Sequence, residues 1–381
     1  MEYNNINISD IDSIIKETVK KEIEKIMKIE QDVFLSENTG IKNGYYTRNL
    51  KTKYGEIDDM KVPRNRDNSF HSAVIDYNNR AIAMDDLIIS MYSNGVSTRR
   101  ISNILKTLFN NKYSPSSVSK ITDAAIEEIN TFLNRKLDKR YIAVYLDGLF
   151  FYLRRAPVDK EPVIFAIGIK ETGEYEILGF YLTVKESHNN YRDVLTDLYN
   201  RGLTEPLLFI ADGINNLDEE VMRIFPRADF QSCTIHYLRG IKSKVKERDS
   251  EEIVNDANKM FNCNDKKDAV DRFNDFKIKW NNKYPDIVYN TEKSTGKLFR
   301  FYDYPENIRR SLKSTNVIER ENEEIRRRIK TVSSFPDQDS AMKIFYFKSV
   351  EFNSKHIFRK MNGYFKCRDG IREMFQKRYP L

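Results

Sequence analysis

Cysteine is scarce in this chain: Cys233, Cys263 and Cys367 are the only three in 381 residues. Three thiols make no disulfide framework, which excludes the stapled scaffolds of small secreted proteins. Long apolar runs are lacking too. No segment approaches the 18 apolar residues of a membrane-spanning helix, and the most apolar one, YIAVYLDGLFFYLRR at 141–155, is broken by Asp147. The opening decapeptide, MEYNNINISD, has neither the basic nor the apolar region of a secretory signal. We therefore expect a cytoplasmic protein with no membrane partner. Neither sign of charge dominates. A net charge of +7 permits nucleic-acid binding without requiring it, so clustering along the chain has to carry that argument.

What is present describes a folded chain of two or three domains. A hydrophobic fraction of 40%, with 23 Phe and 22 Tyr, excludes disorder, and a charged fraction of 32% implies much solvated helical surface. Residues 1–38 form an amphipathic N-terminal segment: over 9–35, Ile11, Ile14, Ile15, Val19, Ile23, Ile26 and Phe34 recur near the helical period. Such a helix suits packing against the body or a second copy. Residues 39–80 hold two alternating segments around a Gly-containing turn, which predicts a basic hairpin. Arg48, Lys51, Lys53, Arg64 and Arg66, interleaved with Tyr45, Tyr46 and Tyr54, suit phosphate contacts, although an edge strand guarded by lysines has the same composition.

Residues 81–138 predict three helices, IAMDDLIISMYSNG, STRRISNILKTLF and SPSSVSKITDAAIEEINTFL, with Ser97 and Ser114 as caps. The pattern fits a helix-turn-helix unit offering Arg99, Arg100, Ser117 and Lys120 to DNA, and it fits a plain three-helix bundle as well. The N-terminal region as a whole is thus expected to be mainly helical and DNA-binding.

From residue 139 the order becomes strand, strand, strand, helix, strand, helix, strand. This predicts an α/β domain with a mixed five-stranded sheet flanked by helices. Asp147, inside the first strand run, has two readings. Asp147-Gly148 is a common signal for a two-residue hairpin turn. A carboxylate within a buried strand, alternatively, needs a partner or a cation, which makes Asp147 a metal-ligand candidate. Asp212 ends the apolar strand at 206–213, where open α/β sheets place their sites. Two carboxylates on neighbouring strands could share a divalent cation.

Residues 237–310 read as a helical insertion that contains the sole tryptophan, Trp280. In the 311–350 segment, Ser314 or Thr315 can cap a helix running NVIERENEEIRRRIK. At 100° per residue, Ile318, Ile325 and Ile329 fall within about 20° of one direction and form its buried stripe. Glu319 and Arg326 border that stripe on one side, at about +100° and +80°, and Glu321 borders it on the other, near −60°. Both glutamates are candidates for a third ligand, and a solvated charged face gives the same pattern. Residues 351–381 form a basic C-terminal tail, with eight Lys or Arg from 353 onward against Asp369 and Glu373.

Asp147 in LDG, Asp212 in IADG, Cys233 and His236 in SCTIH, and Glu319 in STNVIERENEEIRRR together resemble the transposases of Mutator-type insertion sequences in bacteria. The likeness extends over about residues 40–350. It implies a ribonuclease-H-like catalytic domain at 139–236 and 311–350, with a DDE triad of Asp147, Asp212 and Glu319 that also holds Mg²⁺ or Mn²⁺. The separations are 65 and 107 residues, the longer one containing the insertion. By the same resemblance, Cys233 and His236 match a C-x2-H signature and Arg326 matches a basic residue seven positions after the glutamate. One position departs: Tyr191 stands where many relatives have Trp. The implied function is binding of terminal inverted repeats, metal-dependent cleavage of element ends and strand transfer into target DNA, by a homodimer. A non-catalytic DNA-binding regulator, an inactive derivative and a nuclease that cuts without joining are the alternatives. A C-x2-H pair can supply two of the four ligands of a structural zinc. His71, His188 and His356 form no spaced partner for it, so we expect His236 to act near the site.

Overall fold

The computed structural model describes residues 8–37, 40–52, 55–67, 69–72, 84–93, 96–109, 114–123, 125–154, 159–183, 188–213, 216–315 and 335–380. They divide into two compact units, one drawn from Met1–Phe132, Tyr152–Val158 and Arg327–Ile357, the other from Leu133–Phe151, Asp159–Arg326 and Phe358–Leu381. Among the described residues no helix is long and apolar enough to cross a membrane.

In the first unit, helix α1 (Ile8–Glu37) lies against an antiparallel hairpin, β1 (Lys42–Thr52) and β2 (Gly55–Asn65). Ile23 and Met27 of α1 and Ile57, Met60 and Val62 of β2 are buried and supply the apolar seam. Polar ties fix its register: Lys20 Nζ donates to the Asp58 carbonyl (2.7 Å), and the Lys61 N–H donates to Glu24 Oε1 (2.8 Å). The amphipathic face of α1 is therefore used within its own chain.

Helices α2 (Met84–Ser93), α3 (Thr98–Phe109) and α4 (Pro115–Asp123) pack on one another through Ile88, Met91, Ile101, Leu105 and Val118. The expected caps are formed: the Arg100 N–H donates to Ser97 Oγ (3.4 Å) and the Ser117 N–H to Ser114 Oγ (3.1 Å). The stretch expected as one helix from 115 onward comprises α4 and α5 (Ala125–Asn134), with Ala124 outside the described residues. A further helix, Gln338–His356, belongs to the same unit, where Lys343 pairs with Asp123 and Glu351 lies 3.5 Å from Lys25. Burial alone would raise the Glu351 carboxyl, but Lys348, Lys25 and Lys355 around it bring it down to about 2.

The second unit holds β3 (Arg140–Leu153) as far as Phe151, β4 (Asp159–Lys170), β5 (Tyr175–Leu182), α6 (His188–Asn200), β6 (Glu205–Pro206), β7 (Leu208–Ala211), α7 (Leu217–Ile224) and β8 (Asp229–Ser232). The sheet order is β5-β4-β3-β7-β8, with the short β6 also pairing with β3. β4 and β5 are antiparallel, whereas β6 and β7 run parallel to β3, and β8 parallel to β7. This is a mixed sheet in an α/β arrangement. Tyr191, Val194, Leu195 and Leu198 of α6 and Val221 of α7 join Val144, Leu146, Phe209 and Ala211 of the sheet in one apolar core. Tyr191 is therefore a packing residue, and the Arg192–Glu220 pair (Nε 3.0 Å, Nη2 2.8 Å) staples the two helices at its edge.

Strand β3 runs without interruption through Asp147-Gly148, which rules out the hairpin reading of that dipeptide. A central strand with ladder partners on both sides gains pairing along its length, and this outweighs a two-residue turn preference.

Between β8 and residue 313 the chain is helical: α8 (Thr234–Lys242), α9 (Glu247–Lys259), α10 (Lys266–Trp280), α11 (Pro285–Leu298), a 3₁₀ turn at Arg300–Asp303 and α12 (Glu306–Leu312). Ile253, Ala257, Phe273, Phe276 and Trp280 are buried here, and Trp280 Nε1 donates to Asp256 Oδ2 (3.1 Å). The fully buried Gln231 of β8 ties these helices to the sheet, donating to the Leu298 carbonyl (3.0 Å) and accepting from the Phe301 N–H (2.9 Å). Residues 364–378, within the stretch expected as a basic tail, form a helix, Tyr364–Arg378. Its Arg378 donates to Asp229 Oδ2 (2.7 Å) and to the Leu207 carbonyl (2.6 Å), so that charge serves the strand edge.

Candidate active site

The covering of β3 changes where Asp147 sits. Residues 141–147 are all buried, as expected of a strand covered on both faces, whereas beyond Gly148 exposed Phe150 and Tyr152 alternate with buried Phe151 and Leu153. Asp147 is 5% exposed and is the last residue of this unbroken buried run. Side chains alternate along a strand, so Asp147 shares a face with Tyr145, whose hydroxyl donates to the Ser311 carbonyl (2.9 Å) at the end of α12.

The parallel ladder between β3 and β7 pairs Val144 with Phe209, Tyr145 with Ile210 and Leu146 with Ala211. Asp147 and Asp212 are the residues that follow on each strand. Both carboxylates thus leave the same edge of the sheet, at the carboxyl ends of adjacent parallel strands, where α/β sheets hold their ligands. Asp212 is more open, with 48% of its side chain exposed, and its Oδ1 accepts the Gly213 N–H at 2.6 Å.

The next strand contributes Cys233 and His236. The Cys233 N–H donates to the Ala211 carbonyl (2.8 Å), carrying the β7–β8 ladder one step further, and Cys233 then opens α8. His236 in the first turn of α8 places Nδ1 4.0 Å from Asp212 Oδ1. A hydrogen bond with Cys233 raises the His236 imidazole to about 9, against the opposing effect of burial, and the negative charges of Cys233, Asp212 and Asp147 add to the rise. Burial would push the Cys233 thiol up, but hydrogen bonds from His236 and Thr315 leave it below its ordinary value. Cys233 Sγ lies 3.2 Å from Thr315 Oγ1 and accepts the Thr315 N–H at 3.5 Å.

Sequence reasoning placed Asp147, Asp212, Cys233 and His236 together, and the structure brings all four to one edge of one unit. Glu319 and Arg326, with Glu321, lie outside the described residues. Among the described residues no group of three or more His, Cys, Asp or Glu is arranged to hold a metal ion, which also leaves Cys233 and His236 without two further zinc ligands there. The chemistry of the two aspartates nonetheless suits a hard divalent cation, since both offer carboxylate oxygens. Thr315 was read from sequence as a helix cap. Its contact with a sulfur 82 positions away has no signal in local spacing.

The basic residues singled out for DNA lie in the other unit. Arg64 and Arg66 are exposed on and just after β2, with Arg64 Nε donating to the Asn43 carbonyl (3.1 Å), and Arg48 is half-buried on β1. The Lys51 side chain and Lys53 lie outside what is described. Arg99 and Arg100 are exposed at the start of α3 and Lys120 is exposed on α4, while Ser117 is half-buried with Oγ 2.9 Å from Ser114 Oγ.

Comparison with known proteins identifies the family of the chain. Residues 4–357 match the family model described as Transposase, Mutator family. The chain is 32% identical over 344 residues to the transposase for insertion sequence element IS1201 of Lactobacillus helveticus, covering 88% of this chain and 93% of that one. It is 30% identical over 376 residues to the transposase for IS905 of Lactococcus lactis, covering 96% of each. To the transposase for IS256 in transposon Tn4001 of Staphylococcus aureus it is 31% identical over 323 residues, covering 83% of this chain and 82% of that one. On the family model and on the extent of these likenesses, the chain belongs to the Mutator family of transposases.

Proposed function

We propose that the chain binds the terminal inverted repeats of an insertion sequence, cleaves the element ends and transfers them into target DNA by a DDE mechanism on a ribonuclease-H-like core. The observation that carries this reading is the placement of Asp147 and Asp212 directly after the paired residues Leu146 and Ala211. Family membership supports the transposase role, and the strand order β5-β4-β3-β7-β8 agrees with the proposed core.

In this reading Asp147, Asp212 and Glu319 hold Mg²⁺ or Mn²⁺. A divalent cation there supplies Lewis-acid activation of a water or 3′-hydroxyl and charge stabilisation at the phosphodiester. The chain's own residues do the rest. Burial of Asp147 within a paired strand fixes its carboxylate, and the Gly213 N–H orients that of Asp212. The His236 imidazolium beside Asp212 offers positive charge to a phosphate oxygen, and Arg326 holds a second phosphate contact. Arg48, Lys51, Lys53, Arg64 and Arg66 of the hairpin engage the DNA backbone. Arg99, Arg100, Ser117 and Lys120 act as a helix-turn-helix surface on the repeats. Two ends must meet, so the acting species is a homodimer, working in the cytoplasm.

The test is cleavage of end-containing DNA by the purified full chain in Mg²⁺. Asp147→Ala, Asp212→Ala and Glu319→Gln should each lose cleavage while still binding the repeats. Undiminished cleavage by these variants would overturn the assignment. Repeat binding with no cleavage by the parent chain in any divalent ion would favour a regulator, and cleavage without joined products a simple nuclease.

A further inference from the structure

Helix α8 starts at the carboxyl edge of the sheet, with His236 Nδ1 4.0 Å from Asp212, and leaves it with one face that carries no apolar side chain. At 100° per residue, Arg239, Gly240 and Ser243 lie at about −60°, +40° and −20° from His236, whereas Thr234, Tyr237 and Ile241 fall between about +100° and +160°. Burial follows that division. Thr234 and Ile241 are buried and the Tyr237 hydroxyl meets Thr291 Oγ1 at 2.7 Å, while Arg239 and Ser243 are exposed.

The same stretch concentrates positive charge. Residues 236–248 hold Arg239, Lys242, Lys244, Lys246 and Arg248, all exposed, against a single acid, Glu247. Lys242, Lys244 and Lys246 have no ion-pair partner among the described residues. The acids of α9 answer other cations: Asp249 meets Lys283 Nζ and the Tyr284 hydroxyl, each at 2.6 Å, and Glu252 meets Lys279 at 2.6 Å.

Gly240 is an independent sign. Glycine weakens a helix interior relative to alanine, and is kept where a left-handed turn or a close approach requires it. Gly240 has no positive φ, and among the described residues a Cβ there would meet no atom within 4 Å. The chain's own packing therefore does not require it. What it leaves is bare backbone on the His236 face, one turn from the aspartates.

We propose that this face of α8, with Lys242, Lys244 and Lys246, holds the sugar-phosphate backbone of DNA beside the cleaved bond, Gly240 allowing the strand to approach closely. The proposal deepens the proposed function and rests on its placement of the cleaved phosphodiester at Asp147 and Asp212. From His236 to Ser243 the helix advances about 10 Å. A strand carries one charge per about 3.4 Å of duplex axis, so the face matches about three consecutive phosphates.

The test measures binding of a duplex spanning the cleavage position, without divalent ion and across a salt series, and single-turnover cleavage of it in Mg²⁺, with the thermal midpoint of each full-length protein. The triple variant Lys242→Gln, Lys244→Gln, Lys246→Gln should show a dependence of log K on log salt shallower by about 2 to 3, because each lost phosphate contact removes about 0.9. A control triple that removes the same charge elsewhere, Lys136→Gln, Lys267→Gln, Lys377→Gln, should keep the parental slope. Gly240→Leu should melt no lower than the parent, since leucine favours a helix and has open space, yet cleave roughly 10- to 100-fold more slowly. A parental slope in the first triple overturns the surface, as do equal losses in the two triples, which net charge alone would give. Parental cleavage by Gly240→Leu overturns the close approach, and if that variant does not fold, Gly240→Ala decides the same point. Asp212→Ala is run alongside. If it cleaves normally, the reading of the catalytic edge fails and this proposal with it; if it is inactive while the first triple binds with the parental slope, only the α8 surface fails.

Discussion

Leu146 and Ala211 are the last paired residues of the parallel ladder between β3 and β7, and each is followed immediately by an aspartate. A ladder of backbone hydrogen bonds is stiff, so it fixes the spacing of Asp147 and Asp212 without any contact between the carboxylates. The opposite charge of His236, 4.0 Å from Asp212, completes the described part of the site.

The His236 imidazole should titrate near 9 in the metal-free full chain, well above the ordinary 6.5, as read from its ring resonances by NMR. Cys233→Ala should move it down, because the hydrogen bond with Cys233 is the largest cause of the rise. The folded value lies above the unfolded one. The imidazolium therefore contributes stability that is complete below about pH 6.5 and lost as pH rises through about 9.

In the other unit, Glu351 should make stability fall on the acid side. Its carboxyl is held at about 2 against an ordinary 4.5, so the stabilisation is present above about pH 4.5 and disappears as pH falls toward 2. Glu351→Gln should lower stability at pH 7 by about 2–4 kcal/mol, since Lys348, with 4% of its side chain exposed, loses its carboxylate. Denaturant unfolding at pH 7 and pH 3 should show the two proteins converging in acid.

Gly363 precedes the C-terminal helix at φ +83°, and a Cβ there would meet the Asn307 carbonyl oxygen at 2.1 Å. Gly363→Ala combines left-handed strain with a clash against backbone and should cost about 2–4 kcal/mol. A denaturant midpoint no lower than that of the parent would contradict this packing.

Much of the architecture was legible because it is local. The caps Ser97 and Ser114 and the apolar repeat of α1 each follow from a few neighbouring residues. Asp147-Gly148 was ambiguous for the same reason. The dipeptide signals a turn, and only the strands on either side of β3, encoded elsewhere in the chain, decide against it. Arg378 shows the limit for charge. It reads as part of a basic tail, yet it is bonded to Asp229, 149 positions away. In the site, Asp147 and Asp212 stood out because one interrupts an apolar run and the other ends one, while the Thr315–Cys233 contact joins two buried polar atoms whose partnership no periodicity announces.

In the proposed function Asp147 and Asp212 hold the catalytic cation, and Asp212, with 48% of its side chain exposed, is the more accessible of the two for a ligand-exchange test. Single-turnover cleavage of end-containing DNA by Asp212→Cys should be lost in Mg²⁺, which prefers oxygen donors, and should return in part in Mn²⁺, which accepts a softer ligand. Asp212→Ala should stay inactive in both. Parental cleavage in Mg²⁺ by either variant would contradict a cation held by these two aspartates.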